Sequence, residues 1–181
     1  MKIVGLTCVC LCVGLVLASG CSTAPKSETG RAKLDQDVQY TISSAKEQDP
    51  SVTGLFNRSA GYAVFPTVGK GAFIVGGAYG QGELFENGAV TGYCTLTQAS
   101  AGLAAGGQAY AELIFFDSPE AVNRFKYGNL SFSANVTAVA LQSGVAATAP
   151  FTNGVIVFTM GQQGLMAGVS LAGQHFAYQA K

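Results

Sequence analysis

Polar and apolar positions alternate with two different periods along this chain, and the change falls near residue 61. In "RAKLDQDVQYTISSAKEQ", Leu34, Val38, Ile42 and Ala45 recur at three- and four-residue spacing, which gives a helix one apolar face. The spacing predicts a helix over residues 31–48, stopped at Asp49-Pro50 because the residue before a proline is driven out of helical conformation. A short second helix is predicted over 51–58. From Gly61 onward, "YAVFP", "GAFIVGGAYG", "GELFE", "AVTGYCTL" and "AYAELIFF" are short, β-branched and aromatic, and bounded by turn residues. Asn87-Gly88 between two of them is a two-residue hairpin signal. "DSPEAVNRF" interrupts the strands with a short helix: Asp117 or Ser118 can cap it, and Pro119 suits its first turn. The strand pattern resumes in "LSFSANVTAVAL", in "GVIVFTM" after Asn153-Gly154, and in "LMAGVSLAGQHFAYQ". The expected fold class is α+β: a mainly antiparallel, strongly curved sheet or small barrel, with N-terminal helices and one short internal helix.

The first residues carry a different signal. Met1-Lys2 is followed by an apolar run to Ala18 and then by Ser19-Gly20-Cys21, the layout of a secretory signal peptide over residues 1–20. The run is shorter than the roughly 20 residues that span a bilayer. "LASGC" resembles the lipobox of bacterial lipoproteins, with Leu17 one place earlier than usual. That resemblance implies acylation of Cys21, and Ser22 beside it suggests the outer membrane. Residues 21–30 then form a lipidated cysteine and polar tether, and residues 31–181 a single domain. With Cys8, Cys10 and Cys12 in the leader and Cys21 acylated, Cys94 alone remains, too few for an internal disulfide. In "TGYCTLTQ" it reads as a small core residue.

Formal net charge is zero, so no global field favours nucleic acid. From Tyr127 to Ala180 there is no Lys, Arg, Asp or Glu. The glycine-rich stretch "TVGKGAFIVGGAYGQGELFENG" fails both nucleotide patterns. A P-loop needs glycine where Val64 stands and Ser or Thr where Gly71 stands, and the dinucleotide pattern breaks at Ile74. Glycine inside strands permits bends and close approach instead. No catalytic constellation emerges. His175 is the single histidine, there is no GxSxG elbow, and no short ligand spacing marks a zinc site or any cofactor. Glu83 and Glu86 flank a hairpin and read as solvated. Glu112 enters an apolar strand and needs a partner, for which Lys70, Arg124 and Lys126 are candidates.

"GYAVFPTVGKGAFIVGGAYGQGELF", "LTQASAGLAAGGQAYAELIFF" and "GNLSFSANVTAVAL" together resemble the SYLF lipid-binding family in its bacterial lipoprotein branch. The resemblance implies a non-enzymatic module that binds phospholipid or a membrane surface. Its lipid-contacting parts map to Arg31, Lys33, Lys46, Arg58 and Lys70, with Gly69 and Gly71 beside Lys70 able to bring amides to a phosphate. Asp35, Asp37, Glu47 and Asp49 offset the basic residues of the first helix, so no single-sign polar face forms. The expectation is a lipid-anchored envelope protein that binds phospholipid or a related amphiphile. The alternative is a structural lipoprotein whose apolar surface meets another protein. A membrane-spanning barrel and an enzyme rank below both.

Overall fold

The computed structural model describes residues 23–71, 77–99, 108–130, 132, 138–161 and 170–181. The leader and Cys21 lie outside them, as do Gly76, Gly102, Gly106 and Gly168.

Helix α1 runs over Glu28–Gln48, three residues ahead of the expected start. Ser27 caps it by accepting from the Gly30 amide at 3.0 Å. Leu34, Val38, Thr41, Ile42 and Ala45 form its buried stripe. The segment read as a tether is partly packed: Thr23 and Ala24 are buried, Gln81 donates to the Thr23 carbonyl, and the Ala24 amide donates to Gln179. After α1, a 3-10 turn at Pro50–Val52 leads into α2, Thr53–Arg58.

The strands are β1 (Gly61–Gly71), β2 (Gly77–Glu86), β3 (Ala89–Ala99), β4 (Gln108–Phe116), β5 (Val139–Ala140), β6 (Val155–Gly161) and β7 (Gln174–Ala180). Between them lie α3, Pro119–Lys126, and the single turn α4, Val145–Thr148. Ser118 caps α3 by accepting from the Ala121 amide, and Pro119 opens its first turn. The hairpin turn at Asn87-Gly88 has both residues at positive φ, 51° and 77°. Strand order is β5-β6-β4-β1-β2-β3-β7, antiparallel throughout except for the short β5–β6 pair. Among the described residues the sheet is open, edged by β5 and β7, so the curved-sheet expectation holds and the barrel does not.

Two strand boundaries differ from the sequence reading. The end of "GAFIVGGAYG" and "GELFE" form one strand, β2, with Gly80 and Gly82 inside it. β1 continues past Pro66 through a register shift, which accommodates a residue with no amide proton to give the ladder. A Cβ on Gly82 would overlap the Val64 carbonyl oxygen beside this bulge and press on the Phe65 ring. Glycine there permits close approach of two strands and serves no phosphate.

Both faces of the sheet are covered. On one face, Phe65, Leu84, Leu96, Ile114, Phe116 and Phe176 pack under α3 residues Val122 and Phe125. On the other, α1, α2 and α4 cover Val64, Phe85, Leu113, Phe115 and Phe158. Curvature is strong enough that Gln174 at the start of β7 reaches Glu112 in β4, across three intervening strands, and donates to it at 3.0 Å.

Candidate functional site

The basic residues singled out by the sequence do not gather into one patch. Arg31 is held by a bond from its Nε to the Pro25 carbonyl at 3.1 Å, with its guanidinium 5.8 Å from the centre of the Tyr93 ring. Lys33 pairs with Asp37 at 2.7 Å on the exposed side of α1. The Lys46 ammonium lies 5.0 Å from the centre of the Phe56 ring. At 1.5 Å per residue, Arg31 and Lys46 stand roughly 22 Å apart along α1. Arg58 ends α2, just before β1, whereas Lys70 is near the far end of that strand, roughly 30 Å away at strand rise. Gly69, Lys70 and Gly71 are strand residues, not a loop. Gly69 pairs with Tyr79 and Ala109, Lys70 with Ala78 and Gln108, and Gly71 with Gly77. Their backbone is engaged in the ladder.

The sheet end at which Lys70 sits has an unusual charge distribution. Gly71, Gly77, Ala99, Gln108, Gly161 and Gln174 all lie at this end, as the strand registers show. Among the described residues of this end (65–71, 77–82, 95–99, 108–112, 159–161 and 170–175), Lys70 and the buried Glu112 are the only charged ones. The opposite end carries Arg58, Glu86, Asp117, Glu120, Arg124 and Lys126.

Among the described residues, three carboxylates are fully buried: Asp49, Glu83 and Glu112. Glu112 accepts from Gln174, while Arg124 donates to the Asn153 carbonyl and Lys126 pairs with Glu86, so neither of these cations is its partner. Burial, and after it the charge of Glu112, pushes the neighbouring Tyr110 hydroxyl up. Asp49 is fully satisfied. Its Oδ1 accepts from the Ser51 amide, the Ser51 hydroxyl and the Gly144 amide, and its Oδ2 from the Ala146 amide. Burial raises its pKa, but these hydrogen bonds outweigh it and hold the carboxyl below its ordinary value.

Glu83 is the reverse case and corrects the sequence reading, which left it solvated. It is 0 % exposed, and neither carboxylate oxygen has a hydrogen-bond partner. Its carboxyl is pushed up to about 7, first by burial and then by Asp35, with Lys181 opposing. Strand alternation held the missed signal. Gly82 and Leu84 take one face, leaving Glu83 and Phe85 on the face that α1 covers. A cavity of about 460 Å³ opens beside Glu83, between α1 and β2, β3 and β7.

Cys94 is buried and its thiol is pushed well up by burial and the charge of Glu83, which leaves it unreactive, as expected of a core residue. His175 is exposed on β7, with its backbone opposite Thr97.

No curated protein matches this chain. Residues 97–181 match the model of the Ysc84 family, described as Las17-binding protein actin regulator. The matched stretch takes in β4, β5, β6 and β7, with α3 and α4 between them. Over residues 97–181 the chain is therefore similar to the Ysc84/SYLF domain family.

Proposed function

We propose that this chain is a lipid-anchored protein of the bacterial envelope, held in the outer membrane by acyl groups on Cys21. Its domain binds phospholipid or a related amphiphile at a membrane surface, without catalysis, through the sheet end that carries Lys70. The observation that carries the reading is the charge distribution there: the sequence puts only two charged residues among those described at that end, Lys70 and the buried Glu112. Such an end meets an anionic bilayer with little like-charge repulsion, while a lysine gives a charge-assisted contact to phosphate. Thr23 and Ala24 dock on Gln81 and Gln179, which lie away from Lys70 along the sheet. Cys21 lies two residues earlier, roughly 7 Å of extended chain, so an acylated Cys21 holds the domain close to the bilayer.

A second reading is favoured by the description of the matched family, which names a protein partner, Las17. In it the same end meets another envelope protein. The two part in one experiment, vesicle co-sedimentation and a thermal melt on a chain made without acyl groups, with and without Lys70→Ala. The lipid reading expects binding to anionic vesicles that falls about tenfold in Lys70→Ala. It also expects weakening with salt, which screens exposed charges within about 8 Å at physiological strength, and an unchanged melting point. Unaltered sedimentation with a lowered melting point overturns it. No vesicle binding together with a stable co-purifying protein supports the second reading. The intact mass of native protein tests the anchor, which requires a chain beginning at Cys21 and heavier by its acyl groups.

A further inference from the structure

The cavity beside Glu83 is chemically two-sided. One part is acidic: Glu83 at its floor, with Asp35 and Glu28 from α1 on its wall. Arg31 from the same helix and Lys181 beyond β7 supply the opposite sign, and the Tyr93 ring and Gln179 complete the lining. No hydrogen bond or ion pair from this wall reaches Glu83. Among the described residues the ion pairs are Lys33–Asp37 and Lys126–Glu86, so neither Arg31 nor Lys181 comes within 4.0 Å of Glu83. Arg31 is held toward Pro25 and Tyr93 instead. A buried carboxylate with two empty oxygens costs several kcal/mol unless something donates to it. A metal ion does not suit the site, because no group of three His, Cys, Asp or Glu among the described residues could hold one.

From these contacts we infer that the cavity binds a small zwitterion in which a primary ammonium is joined to an anionic group. The ammonium donates to Glu83 and Asp35, and the anionic group faces Arg31 and Lys181. The volume of about 460 Å³ is in the range that holds small ligands. A primary ammonium carries three donors and can satisfy both orphaned oxygens, whereas a quaternary ammonium carries none. Phosphoethanolamine has this chemistry, and it exists both as a free solute and as a lipid headgroup. The ionisable groups facing Glu83 are Asp35, Glu28 and Arg31 from α1, Tyr93 from β3 and Lys181 from the end of the chain. Because the Glu83 carboxyl stays protonated up to about 7, the site loses its ammonium below that pH.

The test uses native protein in detergent micelles, titrated with O-phosphoethanolamine by calorimetry. A second arm reads the melting point of the protein in phosphatidylcholine vesicles with and without phosphatidylethanolamine. Saturable binding of the free solute, or a melting-point rise with phosphatidylethanolamine alone, supports the inference and tells which source the ligand has. In either arm Glu83→Gln should remove at least about 90 % of the response, and phosphocholine should fail to replace the ligand. Affinity should fall about tenfold between pH 8 and pH 6 in the parent and stay flat in Glu83→Gln. Lys181→Ala should weaken O-phosphoethanolamine more than it weakens ethanolamine. Silence in both arms overturns the inference, as does a response that Glu83→Gln leaves intact or that phosphocholine reproduces. Failure here leaves the membrane reading standing, because Glu83 lies roughly 20 Å along β2 from the sheet end at Gly77.

Discussion

Asp49 and Glu83 are both carboxylates with no exposed surface, yet the molecule treats them in opposite ways. Asp49 follows α1 and receives four hydrogen bonds, two of them from backbone amides at Gly144 and Ala146, nearly a hundred residues away. It joins the end of the helix to α4, and its charge is welcome there. Glu83 lies beneath the start of the same helix and receives none. Burial alone does not decide whether a carboxylate is structural. The count of donors that reach it does, and that count makes Asp49 a fastener and Glu83 a vacancy for a cation.

The largest effect expected is from Asp49→Ala. It strands donors from Ser51, Gly144 and Ala146, and a buried network lost in this way should lower stability by about 4 kcal/mol in a urea melt. A loss below about 1 kcal/mol would show that these donors find water and that the contrast with Glu83 is superficial.

Next comes the pH dependence, where the two carboxylates pull in opposite directions. The carboxyl of Asp49 is depressed when folded, so its contribution is present above the unfolded pKa near 3.8 and is lost as pH falls. That of Glu83 is raised from 4.5 to about 7, so the fold favours its neutral form and stability declines as pH rises through that window. The full shift corresponds to roughly 3 kcal/mol, and the open cavity alongside should reduce it to about 2 kcal/mol. Glu83→Gln should therefore raise the melting point at pH 8, leave it unchanged at pH 4, and flatten the slope between. A variant less stable than the parent at pH 8 would show a partner for Glu83.

The smallest effect sets the scale. Lys33→Ala breaks an ion pair in which Lys33 is 73 % exposed, and it should change stability by less than about 0.5 kcal/mol in the same melt. A larger change would mean that exposed charge on α1 matters as much as buried charge beneath it.

The parts of the fold that obey short-range rules were legible in the chain. The stripe from Leu34 to Ala45, the Ser118-Pro119 start of α3 and the turns at Asn87-Gly88 and Asn153-Gly154 each depend on a few adjacent residues. The site was less legible because its members meet through curvature and coverage. That Gln174 reaches Glu112 follows from the bending of the whole sheet, and no spacing between residues 62 apart encodes it. That Glu83 is dry follows from where α1 lies, not from "GELFE" itself. The basic candidates were named correctly as cations, but a helix and a strand each about 30 Å long carry them apart. Lys70 falls inside β1, where Gly69 and Gly71 are paired in the ladder instead of forming an open loop.

The strand order has a consequence for anyone who would cut or transplant this domain. In β5-β6-β4-β1-β2-β3-β7, the strands β1, β2 and β3 stand between β4 and β7. A fragment beginning at residue 97 would keep β4 beside β6 but would leave β7 without a neighbour, since β3, Ala89–Ala99, is nearly all upstream of the cut. The Phe176 ring would lose Phe65, and Glu112 would lose the scaffold that brings Gln174 to it. The stretch that family resemblance picks out thus omits β1 and nearly all of β3, with which its own β4 and β7 pair. The described residues that pack together run from Thr23, docked on Gln81, to Lys181, whose amide donates to the Thr91 carbonyl.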